Sequence, residues 1–242
     1  MGPVPVLLDY LMRLAPGFAL FAACLVLLPR RATGARIALY IGLLVLVRDA
    51  MTPAGLWHIG EGVRLGFHRD PAVLATLGVT SLAGVVFLVA VERDLRPLLV
   101  WRRASLPAGV AAGLATGAAL ALPLQALWGF PFAQLGAGLG FLAGLALLAY
   151  LGNLLEEVLF RGYLQSRLAE RVTPLRAALL SGLVFAACHS FLAITVTDAG
   201  WPILAFTLAE GVACGLLALR YGLVSATLAH GTAILLIAVP MA

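Results

Sequence analysis

Charge is scarce in this 242-residue chain. Only 27 side chains are formally charged, 16 basic and 11 acidic, where a soluble domain carries about a quarter. So few polar groups cannot clothe a water-facing surface. That excludes an ordinary cytosolic enzyme, and with 62% apolar residues it excludes a disordered chain as well. Lysine is missing altogether: every basic residue is arginine, the bias of a GC-rich genome and a pointer to a bacterium. The arginines are scattered among short polar segments rather than gathered on one face, so the net charge of +5 does not indicate nucleic acid. The three cysteines, Cys24, Cys188 and Cys214, all lie in apolar runs without a CxxC pair. Neither a disulfide framework nor a thiolate metal site is expected.

What the chain does have is long apolar runs, and its mean hydropathy is +1.05. A spanning helix needs about 20 mostly apolar residues. Eight runs qualify, at 7–28, 36–57, 72–91, 105–127, 136–160, 175–192, 200–219 and 222–239. The expected fold is all-α, a polytopic membrane helical bundle of about eight transmembrane helices, with residues 1–242 as a single integral membrane domain. Arg48 and Asp49 sit inside the second run, where they pair or mark its end. The loops after runs one, three, five and seven hold 3, 4, 4 and 1 arginines, against Arg13, Arg64 and Arg69 on the other side. By the positive-inside rule the odd-numbered loops are cytoplasmic and both termini lie outside. Glycines recur every fourth residue at Gly109, Gly113 and Gly117, at Gly136, Gly140 and Gly144, and at Gly211 and Gly215. Such ribbons let helix backbones approach closely in lipid.

An ionisable group inside a span costs about 2.5–3.5 kcal/mol on insertion scales and is a functional candidate by default. The second half of the chain concentrates them: Asn153, Glu156, Glu157, Arg161, His189, Glu210 and His230. Read as a helix, Glu157 and Arg161 stand four apart in the favourable order for an ion pair. Glu156 points about 100° away from Glu157, toward the face of Asn153 and Phe160. Its surroundings are apolar with a neighbouring negative charge, a setting that suits a general base. A carboxylate assisted by histidine can activate water for attack on a peptide carbonyl, with a second histidine at the oxyanion. A zinc site built from the same groups ranks second, because there is no HExxH motif. Glu210 is either a polar helix contact or a further catalytic acid.

Glu-Glu-x-x-x-Arg at 156–161, Phe-x-x-x-His at 185–189 and a histidine in a later span together resemble the CPBP family. These are the CAAX-protease and bacteriocin-processing membrane proteins, or Rce1-type glutamic intramembrane proteases. The resemblance covers residues 145–240, leaving 1–130 as additional N-terminal transmembrane helices. It implies Glu156 as the water-activating base, Glu157 and Arg161 as its supporting ion pair, His189 as a water ligand and His230 at the oxyanion. Phe185 of the second motif, and Asn153 on the face of Glu156, are expected in support. It implies no cofactor. The substrate would be a protein or peptide entering from the membrane or the cytoplasmic face of a bacterial inner membrane and cut near its C-terminus. The family's last motif usually reads His-x-x-x-Asn, and here the fourth position after His230 is Ile234. Thr232 or Thr207 would then replace the missing donor, or the chain is a non-catalytic scaffold or bacteriocin-immunity factor. A proton-coupled transporter is a third reading, opposed by the absence of repeat symmetry.

Overall fold

The computed structural model describes residues 3–60, 64–127, 138–191 and 200–240. Among the described residues, eight long helices occupy the positions of the eight apolar runs. They are α1 (Pro3–Leu27), α2 (Thr33–Met51), α3 (Pro71–Val91), α4 (Leu106–Leu127), α5 (Leu139–Ala169), α6 (Pro174–Cys188), α7 (Trp201–Arg220) and α8 (Leu223–Ile237). Five of them, α1, α3, α4, α5 and α7, are long and apolar enough to cross a membrane by length and composition alone. Leu8, Val26, Val86, Leu139 and Trp201 are exposed, as lipid-facing side chains are when lipid is the solvent.

Local chemistry sets several helix boundaries. Asp70 accepts a hydrogen bond from the Ala72 amide and Pro71 opens α3, a cap followed by proline at the first helical position. Thr173 and Pro174 repeat the device at α6. Between α7 and α8 the chain reverses at Gly222, whose φ of +99° is costly for any residue with a Cβ. A methyl group there would also sit 2.7 Å from the Arg102 Cα, so both the turn and the packing demand glycine.

The glycine ribbons are contacts. A methyl group on Gly117 would lie 2.4 Å from the Ala229 carbonyl oxygen, and one on Gly113 2.6 Å from that of Ser225. α4 and α8 therefore touch backbone to backbone. Gly144 meets Pro71 of α3, and Gly211 meets Gly182 of α6. Gly136 lies outside the described residues.

Three features depart from the expectation. Run two ends as a helix at Met51, not at residue 57. Trp57–Gly60 (β1) and Arg64–Phe67 (β2) instead pair antiparallel, and Ala238–Pro240 (β3) joins β2 in parallel, giving sheet order β1-β2-β3. Strands of three or four residues carry too little alternation to register as period two. Run five continues past residue 160 to Ala169, so Arg161 is not a loop residue but is buried in α5 at 2% exposure. Arg36, also counted with the loops, is buried in α2. It donates to both Glu92 carboxylate oxygens and to the Leu25 and Leu28 carbonyls at the end of α1, satisfying groups that a helix end leaves open.

α5 is the organising element. It is not a uniform α-helix: Leu148–Gly152 and Val158–Leu164 are π-helical, with five α-helical residues, Asn153–Glu157, between them. π segments are rare and gather at functional sites. Leu145 and Leu148 pack into a core beneath the sheet with Trp57, Ile59 and Phe67. Phe160 and Tyr163 pack into a second core with Ile37, Tyr40 and Phe185. The Asn153–Glu157 segment is the stretch between those two anchors.

Candidate active site

Glu156 and Glu157 are both buried, at 3% and 0% exposure, and each is held by its own set of partners. Glu157 pairs with Arg161 at 3.0 Å. The guanidinium also donates to the Gly211 carbonyl at 2.9 Å and lies 4.4 Å from the Phe185 ring centroid. His230 donates through Nδ1 to Glu157 Oε1 at 2.8 Å, and Phe185 packs edge-on against the His230 ring. Glu157, Arg161, Phe185 and His230 thus lock α5, α6, α7 and α8 together. The i,i+4 pairing expected from the sequence is present.

The sequence places Glu156 in an apolar setting beside a negative charge and names no cation for it. It has one: Arg48, at the end of α2, donates through Nε to Glu156 Oε1 at 2.7 Å. The two residues are 108 positions apart, so no local pattern joins them. The available signal was an arginine inside an apolar run, since a charge in a span needs a partner.

His189 is not inside α6 but immediately after it, where the helix has ended at Cys188. Its Nδ1 donates to the Phe185 carbonyl at 2.8 Å, which fixes the tautomer and leaves Nε2 as an acceptor. Nε2 stands 3.9 Å from Glu156 Oε2, and that carboxylate oxygen has no hydrogen-bond partner. Two acceptors at this distance cannot bond each other. One water can donate a proton to each and keep its lone pairs free.

These groups face a small cavity of about 50 Å³, room for a few waters and not for a peptide. Arg48, Asn153, Glu156, His189, Glu210 and His230 supply its polar wall, and Leu148, Phe206 and Ile234 are among its apolar neighbours. Trp57, Ile59, Leu65 and Phe67 of the sheet close it on one side. These sheet residues were absent from the sequence-based site. The short helices α6 and α8 end close by, at Cys188 and Ile237. Non-helical backbone at membrane depth is tolerated where it is buried in protein or lines a cavity.

Glu210 belongs to the cavity. It is 1% exposed, its Oε2 is 3.6 Å from His230 Nε2, and its Oε1 has no hydrogen-bond partner. Thr232 does not line the cavity; its hydroxyl is bonded to Tyr150 at 3.1 Å. Thr207 lines the wall but donates its proton to the Leu204 carbonyl. Thr232 is off the cavity and Thr207 has already given its proton to a carbonyl. Among the described residues, no group of three or more His, Cys, Asp or Glu side chains is arranged to hold a metal ion.

An acid pair, two histidines and their supporting charges thus meet around one cavity in a bundle of apolar helices. Residues 138–236 match the family model described as type II CAAX prenyl endopeptidase Rce1-like. Over that stretch, less than half of the chain, the protein is similar to the CAAX-protease family, and its long apolar helices are those of a multi-pass membrane protein. No curated protein and no solved structure matches the chain.

Proposed function

We propose that this protein is an intramembrane endopeptidase in which Glu156 activates water for hydrolysis of a peptide bond near the C-terminus of a protein or peptide substrate. The observation that carries the reading is the 3.9 Å separation of two buried acceptors, Glu156 Oε2 and His189 Nε2, on a cavity the size of a few waters. The bound water donates to both. As it attacks the carbonyl carbon, its proton passes to Glu156, and Glu156 returns that proton to the leaving amine. Arg48 holds the other carboxylate oxygen and so aims the base. Glu157 and Arg161 hold His230 and the surrounding helices in place. The substrate segment reaches the cavity past Trp57, Ile59, Leu65 and Phe67, which line it.

The decisive experiment compares C-termini of membrane proteins by mass spectrometry in cells carrying wild type, Glu156→Gln or His189→Ala. Loss of one set of processed termini in both variants, at unchanged membrane insertion, is the expected outcome. Processing at wild-type level in both variants would refute the mechanism. One observation favours a second reading: Ile234 presents an apolar side chain to the cavity at the position where the resembled family has an amide. A non-catalytic scaffold or immunity factor would keep its biological effect with Glu156→Gln and lose it when Gly113 or Gly117 is enlarged.

The chain belongs in a bacterial cytoplasmic membrane with both termini outside. With Arg36 and Arg161 removed from the count by burial, ten arginines in loops or near helix ends on that side still face three on the other. The cavity lies at the end of the bundle bearing the sheet, the end of α2 and the start of α7, which is the arginine-poor end. On this orientation the scissile bond is reached from the membrane or the outer face, not from the cytoplasm.

A further inference from the structure

We infer that the side-chain amide of Asn153 is the oxyanion donor of this site, a role that rests on the hydrolytic reading above and deepens it. Asn153 opens the five-residue α-helical segment between the two π segments. It is three residues before Glu156, so both project from the same face of α5. Its residue exposure is 5%, its Nδ2 has no hydrogen-bond partner, and it lines the cavity. A buried amide donor left unpaired is costly, and such groups in a folded protein call for an explanation.

The other side-chain donors of the wall already have partners. Arg48 donates to Glu156 and to Met51 Sδ, and Trp57 Nε1 donates to Thr52. The His189 Nδ1 proton goes to the Phe185 carbonyl and that of His230 Nδ1 to Glu157. The remaining His230 nitrogen faces the Glu210 carboxyl at 3.6 Å. The Thr207 hydroxyl goes to the Leu204 carbonyl, and Ile234 has nothing to donate. Asn153, on the same cavity, is left with an amide nitrogen that has no partner.

The step balances without a further reactant. The water oxygen bonds to the carbonyl carbon, its proton moves to Glu156, and the C=O π pair becomes a lone pair on the carbonyl oxygen. That oxyanion accepts a hydrogen bond from Asn153 Nδ2. Collapse restores C=O, breaks C–N and sends the proton from Glu156 to the departing amine. Asn153 touches the oxygen only as charge develops, so it acts on kcat rather than on substrate binding.

The test uses full-length protein in detergent and a quenched-fluorescent peptide ending in farnesylated Cys-aliphatic-aliphatic-Met. Asn153→Ala is expected to lower kcat on the order of 10²- to 10³-fold with KM changed by less than about threefold, the loss measured when one oxyanion donor is removed elsewhere. Adding Ile234→Asn to that variant places an amide back on the same cavity and is expected to restore at least about tenfold in kcat. A peptide aldehyde of the same sequence should bind Asn153→Ala more weakly, while the reduced-amide analogue, which forms no oxyanion, should bind unchanged. A structural role would weaken both analogues together, and that result overturns the inference. So does an Asn153→Ala enzyme with kcat within about threefold of wild type beside an inactive Glu156→Gln. Wild type that leaves the peptide intact, or Glu156→Gln that cuts it normally, overturns the hydrolytic reading and the Asn153 role with it.

Discussion

Arg161→Met removes the cation from the most deeply buried charge pair of the bundle. Both side chains of that pair have 0% exposure. The substitution deletes the 3.0 Å ion pair to Glu157, the 2.9 Å bond to the Gly211 carbonyl and the guanidinium contact with Phe185. Breaking a buried pair from one side costs about 3–5 kcal/mol, because the partner is left buried and uncompensated. His230 continues to donate to Glu157, which holds the expected loss near the lower end, about 3 kcal/mol. For a chain of this length each kcal/mol moves the midpoint by about 2–4 °C, so Tm falls by about 6–12 °C. Adding Glu157→Gln removes the orphaned charge while keeping the His230 contact. The double variant should then recover more than half of the loss, as apolar or neutral replacement of a buried pair often does. Thermal unfolding in detergent, followed by tryptophan fluorescence, reads both variants. A single variant within about 1 kcal/mol of wild type, or a double variant no more stable than the single, would refute the claim that this pair is held by mutual charge compensation.

Arg48→Gln keeps a hydrogen-bond donor near Glu156 but removes the charge. Because Arg48 acts through the base and not on the substrate, kcat should fall about 10- to 100-fold with little change in KM, and Arg48→Lys should retain part of the activity. A rise in KM alone would place Arg48 in substrate binding instead. Ala104→Cys and His58→Cys, each made in a chain whose own cysteines are replaced by alanine, test orientation. Both positions lie outside the helices, Ala104 beside Arg102 and Arg103, and His58 exposed on the sheet. A membrane-impermeant maleimide reaching the outer face of the cytoplasmic membrane should label the His58→Cys protein and leave the Ala104→Cys protein unlabelled until the cells are lysed. The reverse pattern would invert the bundle.

Much of the architecture was legible because lipid imposes a one-dimensional rule. A helix that satisfies its own backbone must be about 20 apolar residues long, and that length can be read without knowing any neighbour. The Glu157–Arg161 pair was legible for a similar reason, since four residues along a helix is a spatial fact. The convergence of Glu156, His189 and His230 came instead from their resemblance to known motifs. The short strands were not legible, because four residues carry no period. The π segments were not legible either, because a shift of the hydrogen-bond ladder by one residue leaves no periodic mark in so short a stretch.

Composition and spacing alone therefore determined a membrane bundle, its eight helices and the acid pair on α5. Only the folded chain decided that Arg48 holds Glu156, that His189 stands beyond the end of its helix with one nitrogen spoken for, and that a small sheet closes the cavity. The physical reason is range. Helical periodicity and hydrophobic length act within a segment, whereas the charge balance of a buried carboxylate is settled by whichever distant cation the packing delivers, here one 108 residues away.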